Sequence, residues 1–120
     1  MKTFLLPIFI LLAICALPVA PAHAQSQAEM NAQAFADFKK ADAELNKVYG
    51  QVMAKLDAEG KEKLKAAQRA WVAFRDAQAE VDADGSRGGT IVPLLRATSM
   101  TESTQTRIKQ LRALLKDLSN

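Results

Sequence analysis

Asp42 and Asp76 are the residues of this 120-residue chain with a reaction within reach. Two facing carboxylates can cleave a glycosidic bond, one giving a proton while the other attacks the sugar or activates water. Arg75 stands next to Asp76 in the chain, and in a helical hairpin it also falls near Asp42. A carboxylate beside a guanidinium suits an ion pair better than a general acid, which must keep its proton. Other chemistries lack their parts. The single histidine and single cysteine, His23 and Cys15, both precede Gln25. The segment around them reads as an export leader: Lys2 gives the positive start, residues 4–17 are almost wholly apolar, and Ala22-His23-Ala24 is a small-x-small cleavage site. Pro7, Pro18 and the short apolar core disfavour an uncleaved membrane anchor, and Ile14 is a poor residue before a lipid-modified Cys15.

Cleavage would leave a mature domain over 25–120 without cysteine or histidine. Structural zinc, haem, redox disulfides and histidine-assisted nucleophiles then have no ligand or base. The run Gly85-Ser86-Arg87-Gly88-Gly89 is glycine-rich but fits neither a P-loop nor a dinucleotide fingerprint. The expectation is a protein that is not an enzyme and uses no cofactor and no metal. With Lys2 removed, the formal charge falls from +3 to about +2, too balanced to argue for nucleic acid. The basic residues do cluster, at Lys61, Lys63, Lys65 and Arg69 and again at Arg107, Lys109, Arg112 and Lys116. Such runs usually form solvated helix faces, and anionic envelope partners are the alternative.

The elements that position these residues are helical. Phe38, Ala41, Leu45, Val48 and Val52 step by three and four along one helix stripe, and Leu64, Ala67, Trp71, Phe74 and Val81 do likewise, with Gln78 filling the gap. A reversal between Glu59 and Gly60 would make an antiparallel hairpin that pairs Phe38 with Val81, Leu45 with Phe74, Val48 with Trp71 and Val52 with Ala67. Beside the seam runs a polar strip of Asp42, Asn46, Tyr49, Gln68 and Arg75. Arg75 would reach Asp42, and the Tyr49 hydroxyl would reach Gln68 or Arg69. This strip reads as a clamp fixing the register, with a binding surface for a partner or glycan as the alternative.

The first helix is expected over 27–58 and the second over 61–82, with Gly60 ending the first. A glycine-bearing loop follows at 83–90. Pro93 can open a short turn, Ser99 with Glu102 matches a capping box, and Ile108, Leu111, Leu115 and Leu118 form the seam of a last helix. The fold class is all-α: an antiparallel helical hairpin closed by a C-terminal helix, a three-helix bundle with room for a short extra helix. Trp71, on the seam, is expected in the core.

The order AD-x-x-LN-x-x-Y, LK-x-AQRAW-x-x-FRDA, Gly-Gly and a later arginine resembles the LprI-type lysozyme-inhibitor family of bacterial envelope proteins. The residues carrying the resemblance are Asp42, Leu45, Asn46, Tyr49, Leu64, Gln68, Arg69, Trp71, Arg75, Asp76, Gly88, Gly89 and Arg107. It implies a helical, periplasmic or secreted module whose proposed activity is inhibition of lysozyme. Members commonly carry cysteines near the positions of Gln33, Ala79 and Ser99. Their absence removes a link typically worth roughly 2 to 4 kcal/mol, which packing or a partner must offset.

A partner lysozyme would be cationic and would need a negative surface. Glu80, Asp82 and Asp84, with Gly85, Arg87, Gly88 and Gly89 in the following loop, are the candidate contact. The alternative function is a non-catalytic envelope interaction module that associates with itself. No stable membrane span is expected once the leader is removed.

Overall fold

The computed structural model describes Pro18 and residues 22–120. The apolar core of the expected leader and Cys15 lie outside the described residues. Three long helices follow in order: α1 over Ala22–Met53, α2 over Ala58–Ala83 and α3 over Val92–Asp117, with a 3-10 turn at Asp84–Ser86. No described helix is long and apolar enough to cross a membrane.

The connection between α1 and α2 is earlier and tighter than expected. α1 stops at Met53, and the chain reverses through two short backbone bonds, Lys55 N–H to the Val52 carbonyl and Leu56 N–H to the Met53 carbonyl. Asp57 then caps α2, its Oδ1 accepting from the Gly60 amide at 2.8 Å. An N-cap aspartate satisfies one of the helix's orphan amides. Gly60 therefore sits in the first turn of α2 and does not end α1. A Cβ there would lie 3.1 Å from the capping oxygen and 3.2 Å from Leu56 Cδ2, so glycine lets the cap close.

The core is built from Leu45, Val48 and Val52 of α1, Leu64 of α2, and Ile108 and Leu111 of α3, with Tyr49, Met53, Leu56, Trp71 and Leu115 packed around them. Each large aliphatic side chain removed from water contributes about 1.5 to 3 kcal/mol. The α1 stripe is the expected one. The α2 stripe is not: Phe74 is 61% exposed and Val81 67%, while Arg75, Ala79 and Ala83 are buried. The pairings of Leu45 with Phe74 and of Phe38 with Val81 are thus replaced, as is Val52 with Ala67, which is exposed. The physical reason is Arg75. Periodicity reads an arginine as outward-facing, but here its charge is met inside the bundle and α2 turns to bury it. Ala79 and Ala83 follow on the same face, where their small size admits α3.

The most extensive backbone contact is between α1 and α3, and next between α2 and α3; the backbones of α1 and α2 come close at few points. α3 is continuous through 99–106. Pro93 opens the whole helix, and Ser99 is not its cap. Three hydroxyls of the polar stretch bond without interrupting the helix: Thr101 donates to the Ala97 carbonyl at 2.8 Å, Thr106 to the Glu102 carbonyl at 3.1 Å, and Ser99 to Asp82 Oδ2 at 2.5 Å. Thr104 is fully buried, and its hydroxyl has no partner among the described residues. In the loop, Gly88 takes φ 80°, the left-handed region where a side chain would be strained.

Candidate functional site

Three helices leave three grooves, and their linings differ in chemistry. The groove between α1 and α2 is the largest, about 630 Å³, and is lined by Asp42, Leu45, Asn46 and Tyr49 on one wall and by Lys65, Gln68, Arg69, Val72 and Arg75 on the other. Most residues of the Asp42-to-Arg75 motif set therefore share one site. Asp42, Asn46 and Tyr49 fall on one helix face because they are spaced by four and three residues.

Arg75 braces this groove. Its side chain is 8% exposed and its Nη1 contacts Asp42 Oδ1 at 3.3 Å, while Nε donates to Asp76 Oδ1 at 2.9 Å. The guanidinium carbon lies 5.0 Å from the Phe38 ring centre and 5.3 Å from that of Trp71. A planar cation held by two carboxylates and two aromatic rings can be buried where an ammonium could not. Asp42 and Asp76 thus share one guanidinium as ion-pair partners. The expected contact between Asp42 and Arg75 is present.

The expected Tyr49 bond to Gln68 or Arg69 is absent among the described hydrogen bonds. Gln68 Oε1 accepts instead from Arg107 Nε at 3.1 Å, which ties α2 to α3. Partial burial lowers the Arg107 guanidinium from its ordinary pKa. Trp71 is half-buried against the core, with the Arg75 and Arg107 guanidinium carbons over its ring at 5.3 and 6.0 Å. Leu64 belongs to the core rather than to the groove.

The corner where α2 passes into α3 holds the acidic candidates. Glu80, Asp84, Arg87 and Gly88 line a pocket of about 220 Å³ together with Arg96. Its carboxylates are already answered: Arg87 Nη2 lies 2.6 Å from Asp84 Oδ1, and Arg96 Nε lies 2.7 Å from Glu80 Oε1. Asp82 stands apart from them and accepts from Ser99 and Gln78, at 2.5 and 2.8 Å. The Ser99 hydroxyl first, and Gln78 second, hold its carboxyl below the ordinary aspartate range. Gly85 and Gly89 are exposed in the loop.

A surface that the sequence did not announce lies between α1 and α3. Met30, Ala34, Leu94 and Thr98 form an apolar groove of about 420 Å³ edged by Asp37 and Glu102. Neither carboxylate has a cationic partner among the described residues; Asp37 only accepts from Gln33, at 2.9 Å. These acids sit on different helices far apart in the chain, so only the bundle's register brings them together. The groove adjoins the corner, to which Asn31 is tied by a 3.0 Å bond to the Thr90 carbonyl.

Comparison with known proteins gives two matches. The sequence pattern of the family described as lysozyme inhibitor LprI matches residues 19–111. An uncharacterised protein of Rhizobium meliloti strain 1021 is 36% identical over 137 aligned positions, covering 95% of this chain and 96% of the relative. No solved structure matches.

Proposed function

The chain belongs to the lysozyme inhibitor LprI family, and on that premise we propose that it is an exported, non-catalytic protein that binds a lysozyme and blocks it. The observation that supports this most directly is the pair of carboxylates without cationic partners, Asp37 and Glu102, on the rim of an apolar groove. Lysozymes are commonly cationic, and complementary charge speeds encounter and fixes orientation. The acids of the neighbouring corner, Glu80 and Asp84, are engaged by Arg96 and Arg87. They contribute shape and hydrogen bonding more than net charge. The proposed contact surface is therefore the loop 82–89 together with the α1–α3 groove beside it.

The test is lysis of cell-wall substrate by lysozymes of several classes, titrated with the purified protein at low and moderate salt. Dose-dependent inhibition should appear, should weaken with salt, and should fall by about tenfold in the double variant Asp37→Asn/Glu102→Gln, the size of one lost charge-assisted contact. Absence of inhibition by a protein shown to be folded removes this reading.

One observation favours a second reading, an envelope module that associates with itself. Phe74 and Val81 are exposed large apolar residues of α2, two helical turns apart. A melting temperature that rises with protein concentration, and no longer does so in Phe74→Glu, would support it.

A further inference from the structure

We propose that the groove between α1 and α2 is a binding site for a carboxylate-bearing amino sugar, separate from the surface that meets a protein partner. The argument begins with what each polar group in the groove already does. Arg75 is held by Asp42 and Asp76, so its charge is answered within the fold. Lys65 pairs with Glu62 at 2.9 Å. Arg69 is different: it is exposed on the groove wall and makes neither an ion pair nor a hydrogen bond among the described residues. The Tyr49 hydroxyl and the Asn46 amide, on the opposite wall, also have no partner among the described hydrogen bonds.

A carboxylate-bearing amino sugar complements these groups as a set. Arg69 offers a planar fork of donors that matches a carboxylate, and Lys65 adds a second positive charge nearby. Asn46 offers both a donor and an acceptor, as an acetamido group requires, and Tyr49 can give or take a hydrogen bond from a sugar hydroxyl. Asp42 uses Oδ1 on Arg75, and its side chain is 38% exposed, leaving Oδ2 to accept a hydroxyl. Leu45 and Val72 supply an apolar floor between the polar walls. At about 630 Å³ the opening has the size of a small-ligand pocket.

The other grooves do not offer this complement: around Lys40 the lining adds Asp37 and Glu44, and at the corner Arg87 and Arg96 are paired with Asp84 and Glu80. The α1–α3 groove carries Asp37 and Glu102, which repel a carboxylate. The α2–α3 groove is lined by Trp71, Phe74, Glu102, Ser103, Thr106 and Gln110, with no cation among them. A cationic protein is likewise mismatched to the α1–α2 groove, where the charge left without an ion-pair partner among the described residues is that of Arg69. The proposal is thus independent of the lysozyme reading. Glu62 limits the affinity, because it lies within reach of the charges of both Lys65 and Arg69 and competes for them.

The experiment is a titration of the purified protein, followed by two-dimensional amide NMR, with three probes: N-acetylmuramic acid, N-acetylglucosamine, which lacks the carboxylate, and lactate, which lacks the sugar. N-acetylmuramic acid should shift the resonances of Asn46, Tyr49, Gln68 and Arg69. The other two probes should bind at least about tenfold more weakly, the worth of one charge-assisted contact. Arg69→Gln should weaken N-acetylmuramic acid by a similar factor while leaving helicity and melting temperature unchanged, and Glu62→Gln should tighten it. Equal binding of the two sugars, shifts confined to another groove, or an unchanged affinity in Arg69→Gln overturns the proposal. Lactate binding as tightly as N-acetylmuramic acid overturns the sugar.

Discussion

Helix α1 is a wall of two grooves, and the two are held open by different means. On the α2 side the walls are far enough apart to need a brace, which Arg75 supplies by reaching Asp42 across the gap. On the α3 side the backbone contact is the most extensive, and the groove runs over a packed seam. The charges follow the same division. Among the described residues, the braced groove presents the unpaired Arg69, and the packed one presents the unpaired Asp37 and Glu102 on an apolar bed. One helix can therefore serve opposite electrostatic ends because its faces are separated by the diameter of a turn, and packing decides which face may carry charge cheaply.

The brace is the place to break this contrast. Removing Arg75 leaves two aspartates and two rings without their common partner, so Arg75→Ala should cost about 2 to 4 kcal/mol, below the full value for a buried pair because both aspartates are partly exposed. Urea unfolding of Arg75→Ala, Asp42→Asn and the double variant measures it, and a coupling near zero between the two positions would show that the brace holds nothing. Trp71→Ala comes next. It removes a half-buried ring and its contacts with Arg75 and Arg107, and should cost about 2 to 3 kcal/mol, below the range for a fully buried aromatic.

Charge reversal sharpens the contrast on the other side without touching the fold. Asp37→Lys and Glu102→Lys should each change stability by no more than about 0.5 kcal/mol, as expected for exposed positions. Under the lysozyme reading the same variants should raise the concentration needed for inhibition. A large loss of stability in either would mean that the furrow is structural.

The smallest effect concerns the end where α2 meets α3. The Asp82 carboxyl is held below its ordinary range in the fold, chiefly by the Ser99 hydroxyl. Its folded pKa is lower than its unfolded one, so the bond stabilises fully above the ordinary aspartate range and is lost as pH falls through the depressed value. The melting-temperature gap between the wild type and Ser99→Ala should therefore be widest at neutral pH and close in acid. A gap independent of pH would assign the loss to packing at this buried position.

How far the sequence could be read depended on residue type. The α1 stripe of Ala41, Leu45, Val48 and Val52 was legible because large aliphatics at helical spacing have one physical use. The three-helix order was legible for the same reason. The face of α2 was misread where Arg75 is buried, because a periodic pattern cannot show that two aspartates and two aromatic rings will gather around one cation. Gly60 was read as a stop signal, though the capping of Asp57 gives it a role at a start. In the site, Asp42 with Arg75 could be found from hairpin geometry. The furrow of Asp37 and Glu102 could not, since it depends on how α3 lies against α1, and the pairing of Glu80 and Asp84 with arginines became visible only once the corner was folded.

The intimate contact of the first helix with the last has a consequence in time. A chain emerging from the ribosome exposes the stripe of α1 first, but Ile108 and Leu111, which complete the core around Leu45 and Val52, follow only with α3. The hairpin alone is an incomplete core, because the backbones of α1 and α2 come close at few points and the cluster they share is finished by α3. Contacts between distant parts of a sequence are slow to form, and here they wait on the third helix. The core of this fold is complete only when α3 reaches α1.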